Sequence, residues 1–203
     1  MTWVKVCGIT SPEALVAAQD GGADAVGFVV APRSPRAVDP ADATEMISLS
    51  TVPAFIVSVD LEIAEVEDLM KRTGADGIQP HGRHGLDVVS LAGERGWSAL
   101  LPIPVDAAGP VTGLDTVPSG VLPLFDTAVS GLHGGTGSTF DWSLLADVGR
   151  PYVLAGGLGP DNVAEAVAVL HPFGVDASSR LEAAPGVKDP DSIRAFIKEA
   201  KSA

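Results

Sequence analysis

The chain is poor in cysteine, in aromatic residues and in positive charge, and each shortage narrows what it can be. Of 203 residues only one is cysteine, so no disulfide can close within the chain, and a reducing compartment is the simple expectation. Lys and Arg number 13 against 26 Asp and Glu, a formal net charge of -13. Nucleic acid and anionic membrane surfaces both need a basic footprint, so neither is expected as a partner. The same imbalance sets a condition: an anionic ligand would need donors placed locally, against an unfavourable overall field. No apolar run approaches the length that crosses a bilayer, and Met1–Val6 enters an apolar stretch without the basic segment and cleavage site of a secretory leader. Cytoplasm follows as the expected location. The 4 histidines show no metal-ligand spacing, so no metal site is expected.

What is present is a regular alternation. Hydrophobic residues make up 46% of the chain, enough for a sizeable core, and the 23 glycines and 16 prolines are scattered between apolar runs as punctuation. The pattern predicts strands at Trp3–Cys7, Ala25–Val30, Val52–Val59, Gly77–Gln79, Trp97–Pro102, Val121–Asp126, Tyr152–Ala155 and Phe173–Asp176. Between them it predicts helices at Ser11–Gly21, Asp39–Ser50, Glu62–Thr73, Gly85–Arg95, Trp142–Val148, Pro160–Leu170 and Asp189–Ala200, with Ser11 as an N-cap before Pro12 and Asp39 before Pro40. Ile103–Ser119 carries prolines and glycines without a 3.6 period, so a fifth helix there should be short, distorted or absent. Strands rich in Val, Ile, Leu and Phe along their whole length are those of a parallel sheet buried on both faces. No strand opens a G-x-G-x-x-G turn, which leaves a dinucleotide-binding open sheet unsupported. The expected fold is α/β: one (β/α)8 TIM barrel of minimal size, with residues 1–203 as a single catalytic domain.

In that fold the chemistry lies where each strand stops. Trp3, Lys5 and Cys7 share one face of the first strand and Val4 and Val6 the other, so Lys5 and Cys7 should point into the barrel. A lone cysteine often serves only as a small buried hydrophobe; at a strand's C-terminal end it could also act as a base, if its surroundings favour thiolate. Asp126 closes the sixth strand, where it could cap the following loop or stand as a second protonic group across the mouth from Cys7. Gly134–Gly137 follow it as a donor-rich loop. Gly156-Gly157 after the seventh strand and Ser178-Ser179 after the eighth stand where this fold binds phosphate. Arg33 and Arg36 lie after the second strand, and a guanidinium suits a carboxylate, although surface arginines often just face solvent. His81 closes the fourth strand, either as a structural histidine or as a ligand contact.

Taken together these stretches resemble the N-(5'-phosphoribosyl)anthranilate isomerase family. The resemblance is carried by Val4-Lys5-Val6-Cys7-Gly8-Ile9-Thr10, Gly22–Phe28, Ser34-Pro35-Arg36, Gln79-Pro80-His81-Gly82 and Gly134–Gly137 continuing through Thr139–Trp142. It continues in Leu154–Leu158 with Asn162-Val163, and in Val175–Ser179 with Glu182, Pro185-Gly186, Lys188-Asp189 and Ser192-Ile193. It runs in order along essentially the whole chain. It implies an Amadori rearrangement of phosphoribosylanthranilate, with Asp126 as general acid, Cys7 as general base and Arg36 on the anthranilate carboxylate. His81, Asp176, Gly156, Gly157, Ser178 and Ser179 would bind the substrate, the loops after the seventh and eighth strands holding its phosphate, and Gly134 and Gly135 would help close the site. No cofactor is implied, and the partner is a small phosphorylated molecule; monomer and homodimer both stay open. The chain departs from the family pattern at Pro80 (usually leucine), Ser138 (commonly basic) and Arg180 (usually glycine). Two other readings stay in play: a sugar-phosphate binder without turnover, and a different barrel enzyme acting on a ribulose or glycerol phosphate.

Overall fold

The computed structural model describes residues 1–106, 111–127 and 141–203. Eight strands, β1 (Trp3–Cys7), β2 (Ala25–Val29), β3 (Ala54–Val59), β4 (Gly77–His81), β5 (Ser98–Val105), β6 (Leu122–Thr127), β7 (Val153–Leu154) and β8 (Gly174–Ala177), close into a barrel in chain order. Every neighbouring pair is parallel, and the seam is sealed by β1 against β8, with Lys5 opposite Asp176.

Around it lie α1 (Pro12–Gly21), α2 (Pro40–Ser48), α3 (Ile63–Thr73), α4 (Gly85–Arg95), α5 (Val163–Leu170) and α6 (Pro190–Ser202). Three of them start the same way. Ser11 accepts the Ala14 N–H at 3.3 Å, Asp39 that of Ala41 at 2.9 Å and Asp189 that of Asp191 at 3.0 Å, each with a proline following the cap. The cap satisfies an orphan donor, and proline occupies the position whose N–H would have been idle.

The period-2 pattern sorts the strands into two faces. Val4, Val6, Val26, Phe28, Ile56, Ile78, Phe125 and Val175 are buried outward among the helices. Ala25, Phe55, Leu100, Leu124 and Val153 fill the inside as an apolar floor, with the rings of Trp3 and Phe55 edge to face at 6.5 Å and 80°. One pleat further along, the interior turns polar with Lys5, Gln79 and Asp176. Cys7, Val29 and Val57 form the next layer, at the mouth.

Several boundaries differ from the sequence reading. β4 runs on through Pro80, paired with Ser58, to His81. β5 runs past Pro102 and Pro104 to Val105. Its ladder to β4 is confined to Ser98 and Ala99, so the two prolines, which lack an N–H, lie where β5 is laddered to β6. Asp126 is followed in β6 by Thr127. Pro160 does not open a helix: α5 begins at Val163 behind Asn162, whose Oδ1 accepts the Gly159 N–H at 2.8 Å. In the described part of 103–119 the only helical piece is a 3-10 turn at Leu114–Thr116, and 142–148 holds another at Trp142–Leu145. After β8 the chain makes a 3-10 turn, Ser179–Leu181. It is followed by an antiparallel hairpin that the sequence did not announce, β9 (Glu182–Ala184) and β10 (Val187–Lys188). No described helix is long and apolar enough to cross a membrane.

Candidate active site

The mouth at the C-terminal ends of the strands opens as a cavity of about 790 Å³. Cys7, Arg36, His81, Asp126, Gly156, Gly157, Asp176, Ser178 and Ser179 all line it, although they come from loops and strands spread along the chain. Gly134 and Gly135, like Ser138, lie outside the described residues.

The polar layer beneath this cavity is one connected group. Lys5, wholly buried, donates to Gln79 Oε1 at 2.9 Å and to Asp176 Oδ2 at 3.1 Å. Burial alone would lower the Lys5 ammonium, yet the charges of Asp176 and Cys7 outweigh it and hold it above its ordinary value. Burial pushes the Asp176 carboxyl upward, with Lys5 pulling against it. Because Lys5 can only donate, it orients the Gln79 amide with its oxygen inward. Gln79 Nε2 then faces His81 Nε2 at 3.2 Å, so that ring nitrogen must accept. Among the described residues Asp176 Oδ1 is buried without a hydrogen-bond partner, an acceptor on the cavity wall suited to a ligand hydroxyl.

The two candidate proton-transfer groups are tuned unequally. Burial first, and the charge of Asp176 second, push the Asp126 carboxyl up to about 6, against the opposing pull of the Thr127 N–H and Lys5. That suits an acid working near neutral pH. Burial pushes the Cys7 thiol up as well. Lys5 and Lys188 pull it down without winning, so the resting site does not hold a ready thiolate as a base of lowered pKa would require. Gly27, opposite Cys7 on β2, leaves room for this cluster: a Cβ there would stand 3.0 Å from Cys7 Sγ and 3.2 Å from Lys5 Nζ.

Arg36 arrives with a partner. Its Nε donates to Glu182 Oε1 at 2.6 Å and its Nη2 to Oε2 at 3.0 Å, a two-bond fork. Lys188 donates to the same Oε1 at 3.1 Å and to the carbonyl and hydroxyl of Ser178 at 2.8 and 3.3 Å. Burial works to raise the Glu182 carboxyl, but Arg36 and Lys188 prevail and keep it below its ordinary value. Lys5, Arg36 and Lys188 thus bring local positive charge to the mouth of a chain whose net charge is -13. Glu182 and Lys188 escaped the sequence reading as site residues; the hairpin that carries them left no periodic signal.

After β7 Gly156 and Gly157 adopt φ of 82° and 65°, a left-handed pair that few other residues would tolerate. Arg180, where glycine is usual, turns away from the cavity. Its Nη1 donates to the Gly157 carbonyl at 3.1 Å and its Nη2 to Asp161 at 2.7 Å, bracing the loop from behind. Among the described residues no group of three or more His, Cys, Asp or Glu is placed to hold a metal.

A parallel eight-stranded barrel with titratable groups gathered at its C-terminal mouth defines an enzyme of the TIM-barrel class. Residues 4–199 match the family model of N-(5'phosphoribosyl)anthranilate (PRA) isomerase, and the chain belongs to that family. The N-(5'-phosphoribosyl)anthranilate isomerase of Trichlorobacter lovleyi is 38% identical, with 100% of both chains covered. Crystallised monomeric forms of the dimeric Thermotoga maritima enzyme superpose with a TM-score of 0.85 at 35% identity, covering 100% of both chains. A phosphoribosyl anthranilate isomerase in complex with reduced 1-(o-carboxyphenylamino)-1-deoxyribulose 5-phosphate superposes at 0.82 with 34% identity, again over 100% of both.

Proposed function

We propose that the chain converts N-(5-phosphoribosyl)anthranilate into 1-(2-carboxyphenylamino)-1-deoxyribulose 5-phosphate, with Asp126 as general acid and Cys7 as general base. Asp126 gives its proton to the furanose ring oxygen as the C1'–O bond breaks, and the anthranilate nitrogen supplies the electron pair that makes the Schiff base. Cys7 removes the C2' proton, and the electrons left behind quench the iminium as an enolamine. Loss of the enol proton and protonation at C1' give the ketone. Before the next turnover one proton passes from the thiol back to the Asp126 carboxylate, so the cycle balances.

The observation that carries this reading is that Cys7, from β1, and Asp126, from β6, line one cavity with an acid raised to about 6. Arg36 would take the anthranilate carboxylate, and the loops at Gly156-Gly157 and Ser178-Ser179 the phosphate. Asp176 and His81 would meet the ribose. Gly134 and Gly135 would help to close over it. The 1–203 chain works as one catalytic domain, without a cofactor, in the cytoplasm. The T. maritima relative is described as dimeric. The corresponding state here is a homodimer, with a monomer as the alternative that sedimentation would reveal.

The decisive experiment follows anthranilate fluorescence while the purified chain meets phosphoribosylanthranilate. Asp126→Asn and Cys7→Ala should each lose on the order of 10²–10⁴-fold in kcat while melting cooperatively. Full turnover by either variant would strip that residue of its role, and ligand affinity without turnover by the unaltered chain would make it a binder.

A further inference from the structure

We propose that Glu182, secured by Lys188, determines specificity by positioning Arg36: it grips one edge of the guanidinium so that the opposite edge is presented to the carboxylate on the substrate's aromatic ring. This inference rests on the substrate reading above. A guanidinium has five N–H groups, and Glu182 engages two, at 2.6 and 3.0 Å. The outer fork, made of one Nη1 hydrogen and the second Nη2 hydrogen, stays available on a side chain that lines the cavity. A planar group fixed along one edge has its other edge fixed too.

The scaffold behind the pair is built for this. Glu182 accepts four N–H bonds, two from Arg36, one from Lys188 and one from the Gly186 backbone at 3.2 Å. Gly186 itself lies against the Pro35 carbonyl, and its own carbonyl accepts the Thr10 hydroxyl at 2.8 Å. The Arg36 stem crosses the bare backbone of Gly8, where a Cβ would come within 2.9 Å of both Arg36 Cδ and Ser178 Oγ. Glu182 and Lys188 face each other as register partners across the β9–β10 hairpin, which supplies both.

Charge explains why Lys188 is needed. An Arg–Glu pair is neutral and would attract a carboxylate weakly. The Lys188 side chain is 0% exposed, and its three N–H groups meet three acceptors: Ser178 O, Ser178 Oγ and Glu182 Oε1. With that ammonium the cluster of Arg36, Glu182 and Lys188 carries one net positive charge beside the cavity. The same Lys188 ties Ser178, on the phosphate side, to the carboxylate side, so both ends of the ligand are framed by one hairpin.

The test compares KM and kcat of the full chain and of Glu182→Gln on two substrates: phosphoribosylanthranilate and its decarboxylated counterpart, N-(5-phosphoribosyl)aniline. For an analogue that is bound but not turned over, Ki replaces KM. Glu182→Gln should raise KM for the carboxylated substrate about tenfold or more, with kcat within a few-fold, and leave the aniline compound unaffected. An equal loss on both substrates means a structural role only and overturns the proposal. So does no change, or a lower KM, which would mean that Glu182 merely occupies the place of the substrate carboxylate. Should Glu182→Gln fail to melt cooperatively, Glu182→Asp keeps the charge for Lys188 but shortens the reach to Arg36, and the same selective rise is expected. An unaltered chain that does not turn over phosphoribosylanthranilate defeats the functional reading; an active one with unselective Glu182 variants defeats this inference alone.

Discussion

Lys5 and Asp176, register partners on β1 and β8, hold an ion pair of 3.1 Å inside the barrel, with the Lys5 side chain 0% exposed. A charge so placed is tolerated because its counter-ion is in place, and it becomes costly when that counter-ion is taken away. Lys5→Met should destabilise the fold by about 3–5 kcal/mol, since the Asp176 carboxylate is left buried without its counter-ion. Adding Asp176→Asn to Lys5→Met removes that stranded charge and should restore part of the loss. Urea denaturation of the two variants measures both effects; a single variant within about 1 kcal/mol of the unaltered chain would mean that the pair does not hold the barrel interior together.

Much of this frame was legible in the sequence because its signals are local. The alternation in Trp3–Cys7 sets Lys5 and Cys7 inward, and Ser-Pro and Asp-Pro steps mark helix starts at Pro12 and Pro40. The described candidate residues inferred from strand ends share one cavity for the same reason: in a parallel barrel, strand ends converge. What could not be read depends on contacts between distant parts. Arg36 and Glu182 are 146 positions apart, and Lys5 and Asp176 are 171. Neither pairing has a local trace until the barrel closes. The hairpin at 182–188 is too short for a periodic signal, and in the sequence the strand ends at Pro102 with Pro104 in the loop beyond it, although β5 is laddered to β6 through both. The shift of the Cys7 thiol was also hidden, since it depends on burial competing with two lysines from separate elements.

Asp126 makes the fold less stable than it could be. Its carboxyl titrates near 3.8 when unfolded and at about 6 in the barrel, so the folded state favours the neutral form. A group raised in this way gives its full stability below the unfolded value, and loses it as pH climbs through the window from about 4 to about 6. At pH 7 the deficit is about 3 kcal/mol, from a shift of roughly two units at 1.36 kcal/mol each. Asp126→Asn, neutral at every pH, should therefore be more stable than the unaltered chain at pH 7 by up to about that amount, with the difference fading towards pH 4. Parallel thermal melts across that range test it. A variant less stable at pH 7 would mean that the carboxylate is better accommodated than its surroundings indicate.

Arg180 offers a contrasting case. Its side chain is 32% exposed and its partner Asp161 is 66% exposed, so the ion pair between them is screened by water. Because it braces Gly157 from outside the cavity, Arg180→Gly should cost on the order of 1 kcal/mol and leave KM for the phosphorylated substrate within about twofold. A tenfold rise in KM would instead place the guanidinium in contact with the phosphate.

The pH dependence of kcat/KM tests the two proton-transfer groups together. The free enzyme must present Asp126 protonated and Cys7 ionised. With the carboxyl near 6 and burial raising the thiol above its usual value, the favoured resting form at neutral pH is the reverse. The active fraction is the product of two small populations. Below about pH 6 it climbs with unit slope, because thiolate increases while Asp126 stays protonated. Between the two pKa values the gain in thiolate cancels the loss of carboxylic acid, giving a plateau; above the thiol's value only the loss remains. The expected profile is therefore broad, with its acid limb bending at about 6 and its descent deep in the alkaline range. Asp126→Asn has no carboxyl to lose, so its residual activity should rise with unit slope through neutral pH to the thiol's own pKa, without the bend. A narrow profile that peaks and falls again just above 6 would show a thiolate already formed in the resting site, and Lys5 and Lys188 would then have overcome burial at Cys7 after all.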